Sequence, residues 1–481
     1  MNVFSRRQVL GSLSAGALGM LACGRKGSKS AAPGLSHLPA PDLSALSGRK
    51  DKTRIYYLFS AKPKGLEGWP FHEYDHVKRA RSFEKRFQRI NDVEWIGGDI
   101  IEKNEDILAI KDRLNDADGL VIIALTSPSA GLRMLNEAGI TTPTLLFNDL
   151  FCGDCGFLAF QQQAREDDMR LVSLSSADIG LLERKIQLLR TVGRLRRSKI
   201  ICFRDRWPVD KDFKQAAREK LGVEIVQMGS REIVQAYEAA DTDQARQIAE
   251  SWVSTAEKVV EPTIEEIVDS ARMYLALKKI MDQEKANAVT IDCLGMVYGD
   301  KIPAYPCLAF VQLNNDGYVG ACESDMAATL TMLIVGFLAD RPGFISDPVL
   351  DTQAGLIYHA HCLSATRMAG FDKPAEPCII RSHSEDRSGV SLEVEFSPGN
   401  QITACKYVSP NRMLVSTGTI VGNKDTPLAC RSKMITRVEG VRKMLNGYSG
   451  GLHRIIFYGD HVEDLEDLGK LLDFQVTVET A

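Results

Sequence analysis

From Thr53 onward the chain alternates short apolar runs with amphipathic ones, and this alternation limits the possible fold more than any other feature of the sequence. "RIYYLF", "VEWIGG", "GLVIIAL" and "TPTLLFN" read as strands. Between them "HVKRARSFEKRFQRI", "EDILAIKDRLNDA" and "AGLRMLNEAG" read as helices. Such repetition predicts parallel strands joined by crossover helices, a doubly wound α/β module. The rhythm restarts with "LLERKIQLLRTVGRLRRS", "KIICFRD", "DFKQAAREKLG" and "VEIVQMG". It continues through a long helical stretch from Thr242 to Asn287 and closes on "AVTIDCL". No G-x-G-x-x-G follows any of these strands, so the sequence gives a dinucleotide site no support.

After Pro303 the pattern changes. One strong helix is expected from Met326 to Ala339, followed by the β-rich runs "CIIRSH", "VSLEVEFSPG", "QITACKYV", "RMLVSTGTIVG" and "RIIFYGD". The expected fold class is α/β: two successive doubly wound α/β modules followed by a β-rich α+β C-terminal domain. The divisions fall at 53–155, 156–300 and 301–481. Five of the eight histidines lie beyond residue 350, which places the chemistry in the last domain.

The first residues stand apart from this pattern. "SRRQVL" carries the pair Arg6 and Arg7, a modestly apolar run follows, and then Cys23. This resembles a twin-arginine export signal ending in a lipoprotein-type cleavage site. The apolar run from Val9 to Ala22 is too short and too rich in Gly and Ser to span a bilayer. Residues 1–23 are therefore expected to be a signal peptide and 24–52 a flexible tether. The protein is expected in the periplasm or cell envelope, touching the membrane only through a lipid anchor at Cys23. A net charge of -4 and the absence of a long basic run argue against a nucleic-acid partner. The eleven cysteines are scattered, several in apolar runs read as strands ("IICF", "IDCLG", "PCLAF"), as expected of buried thiols acting as small hydrophobes. The one CxxC, Cys152 to Cys155, lacks the second pair a zinc site needs and is read as structural.

The stretch "GACESDMAATLTMLI" sets acids at the head of a long apolar run. Ser324 or Asp325 can cap the helix, and Glu323 is favoured by its dipole. "RPGFISDP" puts Asp347 at the end of a short apolar run, and "GYSGGLHRIIFYGD" puts His453 at the mouth of a strand. A helix from Met326 to Ala339 is about 21 Å long. The eight residues from Ala339 to Asp347 return at most about 29 Å, so Asp347 can fold back beside Glu323.

These stretches, with "YLALKKIMDQEKANAVTIDC", "PCLAFVQLNNDGYVGACESD", "AHC", "SPGNQITACKY" and "ACRSKM", resemble the L-fucose isomerase and L-arabinose isomerase-like sugar isomerases. The resemblance runs from Tyr274 almost to the C-terminus, and covers the N-terminal half only in its two-module layout. It implies a divalent metal, usually Mn²⁺, held by a Glu, an Asp and a His, which by position are Glu323, Asp347 and His453. The family's Gly-His-His is here Gly451–Leu452–His453, with one imidazole fewer. The resemblance also implies a monosaccharide substrate and a homo-oligomer, a trimer or hexamer, with sites formed between subunits.

The implied activity is aldose–ketose isomerisation through an enediol, in which a proton moves between adjacent carbons. Glu323 and Asp347 would be the catalytic carboxylates, and a metal would polarise the carbonyl. His361, His383 and Arg431 are the candidates for substrate binding, whereas His359 is read as packing. His72, His76 and Trp69 follow the first strand, where α/β sheets present binding loops, and receive no ligand role. Two alternatives stand beside the isomerase: a non-catalytic sugar-binding lipoprotein, and a same-fold epimerase or lyase acting on a modified sugar.

Overall fold

The computed structural model describes residues 52–481. The export signal expected over 1–23 with its Cys23, and all but the last residue of the expected tether, lie outside the described residues.

Five strands form the first sheet: β1 (Thr53–Ser60), β2 (Val93–Ile101), β3 (Gly119–Ala124), β4 (Thr144–Asn148) and β5 (Leu171–Ser175). Their order is β2-β1-β3-β4-β5 and every pairing is parallel. Strands in such a sheet are covered on both faces, which is why β3 and β4 are buried at every residue. Alternate side chains serve opposite layers. Ile55, Phe59, Val121, Ile123 and Phe147 pack with Phe83 and Phe87 of the helix His76–Phe87 and with Leu182, Ile186 and Leu189 of the helix Gly180–Arg196. Tyr56, Leu58, Leu120, Ile122 and Leu146 pack with Ile107 and Leu114 of Glu105–Asn115 and with Phe157 and Phe160 of Asp154–Glu166.

The second sheet uses β6 (Lys199–Phe203), β7 (Glu224–Met228), β9 (Ala288–Ile291) and β10 (Val319–Ala321), again all parallel, in the order β10-β9-β6-β7. The two-residue β8 (Lys258–Val259) leaves this sheet and joins β13 (Cys378–Arg381) and β14 (Ser391–Val394) in a small third one. The sheets do not break where the sequence suggested: the first runs to Ser175, past 155, and the second takes in β10, past 300.

Two expectations need correction. The stretch Thr242 to Asn287 is two helices, Thr242–Thr255 and Ile264–Glu284, with β8 between them. Pro262 cannot sit inside a helix, and Thr263 starts the second helix in a capping box. Its Oγ1 accepts from the Glu266 amide at 3.3 Å, and Glu266 accepts from the Thr263 amide at 2.8 Å. Second, "PCLAF" is not a strand but the start of the helix Cys307–Asn315, and Cys293 opens the short helix Cys293–Val297. Both segments are apolar because they are enclosed, and short apolar runs do not separate strand from helix by period.

The β-rich C-terminal region is built on β11 (Phe344–Asp351), β12 (Leu356–His361), β15 (Gln401–Ser409), β16 (Arg412–Asn423), β17 (Ser432–Arg437) and β18 (Arg454–Tyr458), with β19 (Gln475–Val478) added beside β16. The order β15-β18-β11-β12-β17-β16 closes on itself through pairing of β15 with β16, and each of these pairs is antiparallel. Closure leaves none of the six as a free edge. The helix Met326–Ala339 lies between the second sheet and this barrel, in one core with the helix Gly180–Arg196. It is buried almost throughout, which explains its lack of a polar face. Thr331 ties it to the barrel by accepting from the Tyr407 amide at 2.9 Å.

Arg454, fully buried at the start of β18, holds the turn before that strand in place. Its guanidinium donates to Glu479 at 2.6 and 2.9 Å and to the carbonyls of Ser449, Gly451 and His453. Removing one partner of a buried pair leaves an uncompensated charge. Glu479→Ala is therefore expected to lower unfolding free energy by about 3–5 kcal/mol, measured by urea denaturation.

Candidate functional site

The four parallel strands of the second sheet point their C-terminal ends at the same edge, the position where open α/β sheets carry their sites. β10 ends there at Ala321, and the chain turns sharply into the helix Met326–Ala339. Glu323 (φ 60°) and Ser324 (φ 51°) both take left-handed backbone, a conformation that costs a non-glycine residue about 1–3 kcal/mol. Asp325 then caps the helix, its Oδ1 accepting from the Ala328 amide at 2.8 Å.

The barrel supplies the facing wall by register. In the antiparallel pair β11–β18, Ser346 lies opposite Arg454, so the next step brings Asp347 to His453. On its other side Asp347 pairs with Ala360, next to His361. His453 Nε2 is 3.3 Å from Asp347 Oδ1 and 3.6 Å from Glu323 Oε2. Of the three residues named from the sequence as one constellation, His453 of the barrel is thus within contact range of both acids, Glu323 from the sheet edge and Asp347 from the barrel.

A second layer fixes the imidazole. His453 Nδ1 is 2.9 Å from Asp325 Oδ2, which also accepts from Lys406 Nζ at 2.7 Å. A carboxylate at Nδ1 requires the proton there, which leaves Nε2 facing the acids. Asp325 is thus a helix cap and a histidine anchor at once. The sequence reading found the first role and missed the second, along with Lys406. A lysine between Cys405 and Tyr407 in a strand as apolar as "QITACKYV" was the available signal, because a buried lysine needs an acid.

The charges follow from these contacts. Burial disfavours charge on Asp325, but His453, Lys406 and the Ala328 amide hold its carboxyl well below the usual range. Burial likewise opposes protonation of His453; the Asp325 bond, with Asp347 and Glu323, outweighs it and raises its proton affinity. Burial pushes Asp347 up to about 6, with His453 pulling it down and Glu323 pushing it further up. Asp347 Oδ1, His453 Nε2 and His361 Nε2 are buried without a hydrogen-bond partner.

This donor set fits a divalent cation. The ligand atoms of Asp347, His361 and His453 lie within 4.8 Å of one another, and so do those of Cys322, Glu323 and His361. Carboxylate oxygens with an imidazole suit a hard or borderline metal. Glu323 and Asp347 are also partly open, at 36% and 27% side-chain exposure, which gives a ligand or substrate access.

The other candidates divide. His361 borders the cluster, its ring 5.6 Å from that of His453. His383 is buried against Tyr305 and pairs with Asp386 at 3.2 Å. Arg431 donates to the carbonyl and hydroxyl of Ser382 at 2.8 and 2.9 Å, so its guanidinium braces a loop. His359 lies between Ser346 and Thr436 in the barrel interior. His76 pairs with Glu102 at the end of the first sheet, and Cys152 and Cys155 are free thiols.

Metal affinity should fall as pH drops, because a cation competes with protons for this set. The loss is expected to begin where His453, raised above its ordinary value, takes a proton at Nε2. It should steepen below about 6, where Asp347 takes a second. Chelator competition across this range measures the slope. Asp325→Asn, which keeps a capping side chain but removes the charge behind His453, is expected to weaken metal binding 10–100-fold in the same assay, about the range for such outer partners.

Parts of the chain are similar to known proteins. Residues 208–340 match the L-arabinose isomerase central domain, a span that contains Glu323 and the buried helix but stops before Asp347 and His453. The sulfoquinovose isomerases of Priestia aryabhattai and Priestia megaterium are each 23% identical over 313 residues, covering 62% of this chain and 68% of theirs. That of Clostridium sp. is 24% identical over 274 residues, 53% of this chain and 58% of its own. Together these likenesses support a sugar isomerase.

Proposed function

We propose that the protein is a metal-dependent aldose–ketose isomerase that acts on a monosaccharide through an enediol. The observation that carries this reading is the approach of two partly open carboxylates, Glu323 and Asp347, to the unpartnered Nε2 of His453. These three residues would hold the divalent metal, with Mn²⁺ the favoured ion for an oxygen-rich set with one imidazole. Bound there, the ion would polarise the sugar carbonyl and steady negative charge on the adjacent oxygens.

The chain's own groups divide the proton work. Glu323, the most exposed of the three, is placed to take a proton from the carbon beside the carbonyl. Asp347, whose burial raises its hold on a proton to about 6, is suited to carry the hydroxyl proton near neutral pH. His453 does not move, because Asp325 and Lys406 anchor it from behind.

The names of the sulfoquinovose isomerases favour a sulfonated hexose as the first sugar to try. Export by the Arg6–Arg7 signal, anchoring at Cys23 and assembly into a trimer or hexamer belong to the same proposal.

The test is incubation of Mn²⁺-loaded protein in deuterium oxide with sulfoquinovose and with unsubstituted aldoses. The expected product is a ketose carrying solvent deuterium at carbon 1, put there when the carboxylate that took the carbon-2 proton exchanges with solvent before it returns one. Glu323→Gln and Asp347→Asn should each lower kcat/KM by about 10²–10⁴-fold. Sugar binding without any ketose or exchange would replace the isomerase with a sugar-binding protein. Exchange into the aldose with inversion and no ketose would replace it with an epimerase.

A further inference from the structure

Two thiols meet where adjacent strands of the second sheet end. β9 and β10 are parallel neighbours with Ala321 opposite Thr290, and both leave the sheet at the same edge. Just beyond, Cys293 opens the helix Cys293–Val297 and Cys322 precedes Glu323. Backbone bonds fix both exits: the Ser324 amide donates to the Ile291 carbonyl at 3.0 Å, and the Met296 amide to the Asp292 carbonyl at 2.9 Å. Thr290 Oγ1 adds a bond to the Cys322 carbonyl at 3.4 Å. Both cysteines are free thiols in this structure, only 5% and 4% exposed, and their Sγ atoms stand 2.8 Å apart. That separation is inside the roughly 3.5–4.0 Å at which unbonded heavy atoms settle, and a thiol is too weak a donor to draw two sulfurs closer. Adjacent strands run about 4.8 Å apart, within the roughly 4.4–6.8 Å between Cα atoms that a disulfide spans.

We propose that Cys293 and Cys322 close into a disulfide, and that this bridge withdraws the sulfur donor beside the cation cluster. Cys322 Sγ lies within 4.8 Å of donor atoms of Glu323 and His361, and it is the one sulfur in the two donor groups found among the described residues. A thiolate there would give the site a soft ligand, which favours zinc or copper(I) over Mn²⁺. A sulfur already bonded to Cys293 has no thiolate to offer, so the two groups keep only oxygen and nitrogen donors. The oxidant is a small disulfide. Its S–S bond and the two cysteine S–H bonds break, the Cys293–Cys322 bond forms, and two electrons and both protons leave on two oxidant thiols. The consequence for the metal rests on the metal-dependent reading above, whereas the bridge itself rests only on where the sulfurs stand. The same link ties the residue before the left-handed Glu323 to the end of the neighbouring strand, which holds the turn from its N-terminal side.

Peptide mapping tests the bridge. The full chain is treated with oxidised glutathione or with a phosphine reductant, quenched in acid, alkylated in denaturant and mapped by mass spectrometry. A further sample, produced in a host with an oxidising cytoplasm, lets the bond form while the chain folds, so burial of the pair cannot mask it. The oxidised material is expected to contain a linked Cys293–Cys322 peptide two hydrogen masses lighter than its reduced halves, while Cys202 and Cys405, buried in other strands, are alkylated. Both cysteines alkylated in every sample, or either one joined to a different thiol, would overturn the proposal.

Cadmium reports on the sulfur, because a thiolate bound to Cd²⁺ absorbs in the ultraviolet. Reduced protein should show this band. Oxidation should remove it and lower Cd²⁺ affinity at least about tenfold, roughly the least that losing a metal's partner costs, while Mn²⁺ affinity changes by less than about threefold. Cys293→Ala cannot bridge, so its band should survive the oxidant, and Cys322→Ala should lack the band in both states. An equal band in both redox states of the parent, or an undiminished band in Cys322→Ala, would overturn the donor role. The peptide map uses the unaltered chain and stands even where a variant misfolds. If Mn²⁺ binds neither redox form, the metal-dependent reading fails, and the map still decides whether the bridge exists.

Discussion

The start of the buried helix Met326–Ala339 is the point on which both the fold and the site depend. A helix enclosed on all sides cannot leave its first amides to water, so Asp325 has to cap it. Buried in that place, the Asp325 carboxylate needs cations of its own, and the barrel provides Lys406 and His453. One side chain therefore ends a strained turn, begins the central helix and docks the barrel against the second sheet. The backbone strain at Glu323 and Ser324 persists because these contacts over-determine the turn.

Much of this was legible in the sequence. The parallel sheets followed from the strand–helix rhythm, and the runs in β3 and β4 are apolar throughout because both faces are covered. Glu323 stood out as an acid at the head of an apolar helix, and His453 as an imidazole at the mouth of a strand. What failed had physical causes. The break at Pro262 was written in the Thr263 and Glu266 capping signal, but the amphipathic pattern on either side concealed it. Barrel closure depends on β15 meeting β16 while β18 crosses from far along the chain, a pairing no local pattern encodes. Arg431 sits among family-like motifs, yet its geometry commits it to Ser382, and motif position carries no information about where a long side chain points.

The division of the site between two elements has an energetic consequence. Glu323 belongs to the edge of the second sheet, while Asp347 and His453 belong to the barrel. The span that matches the arabinose isomerase central domain ends at residue 340, so it includes the first and not the other two. A cation held by all three would tie the barrel to the sheet. Any ion that binds only this assembled form stabilises it by mass action, about 2.7 kcal/mol at a hundred times the dissociation constant.

The same geometry sets how the two acids and His453 balance their charges. Glu323 and Asp347 both approach His453 Nε2, and their mutual repulsion is part of what raises the Asp347 carboxyl. His453 answers with a raised proton affinity, because a third carboxylate, Asp325, supports its charge from behind. A proton on Nε2 would therefore balance the two acids that face it. An ion bound there would take the place of that proton; the imidazole is already aimed by Asp325, and the acids are placed by the turn and by strand register. Under the proposed metal-binding role, a divalent ion would enter a site whose ligand-bearing groups are already held in place by contacts outside it.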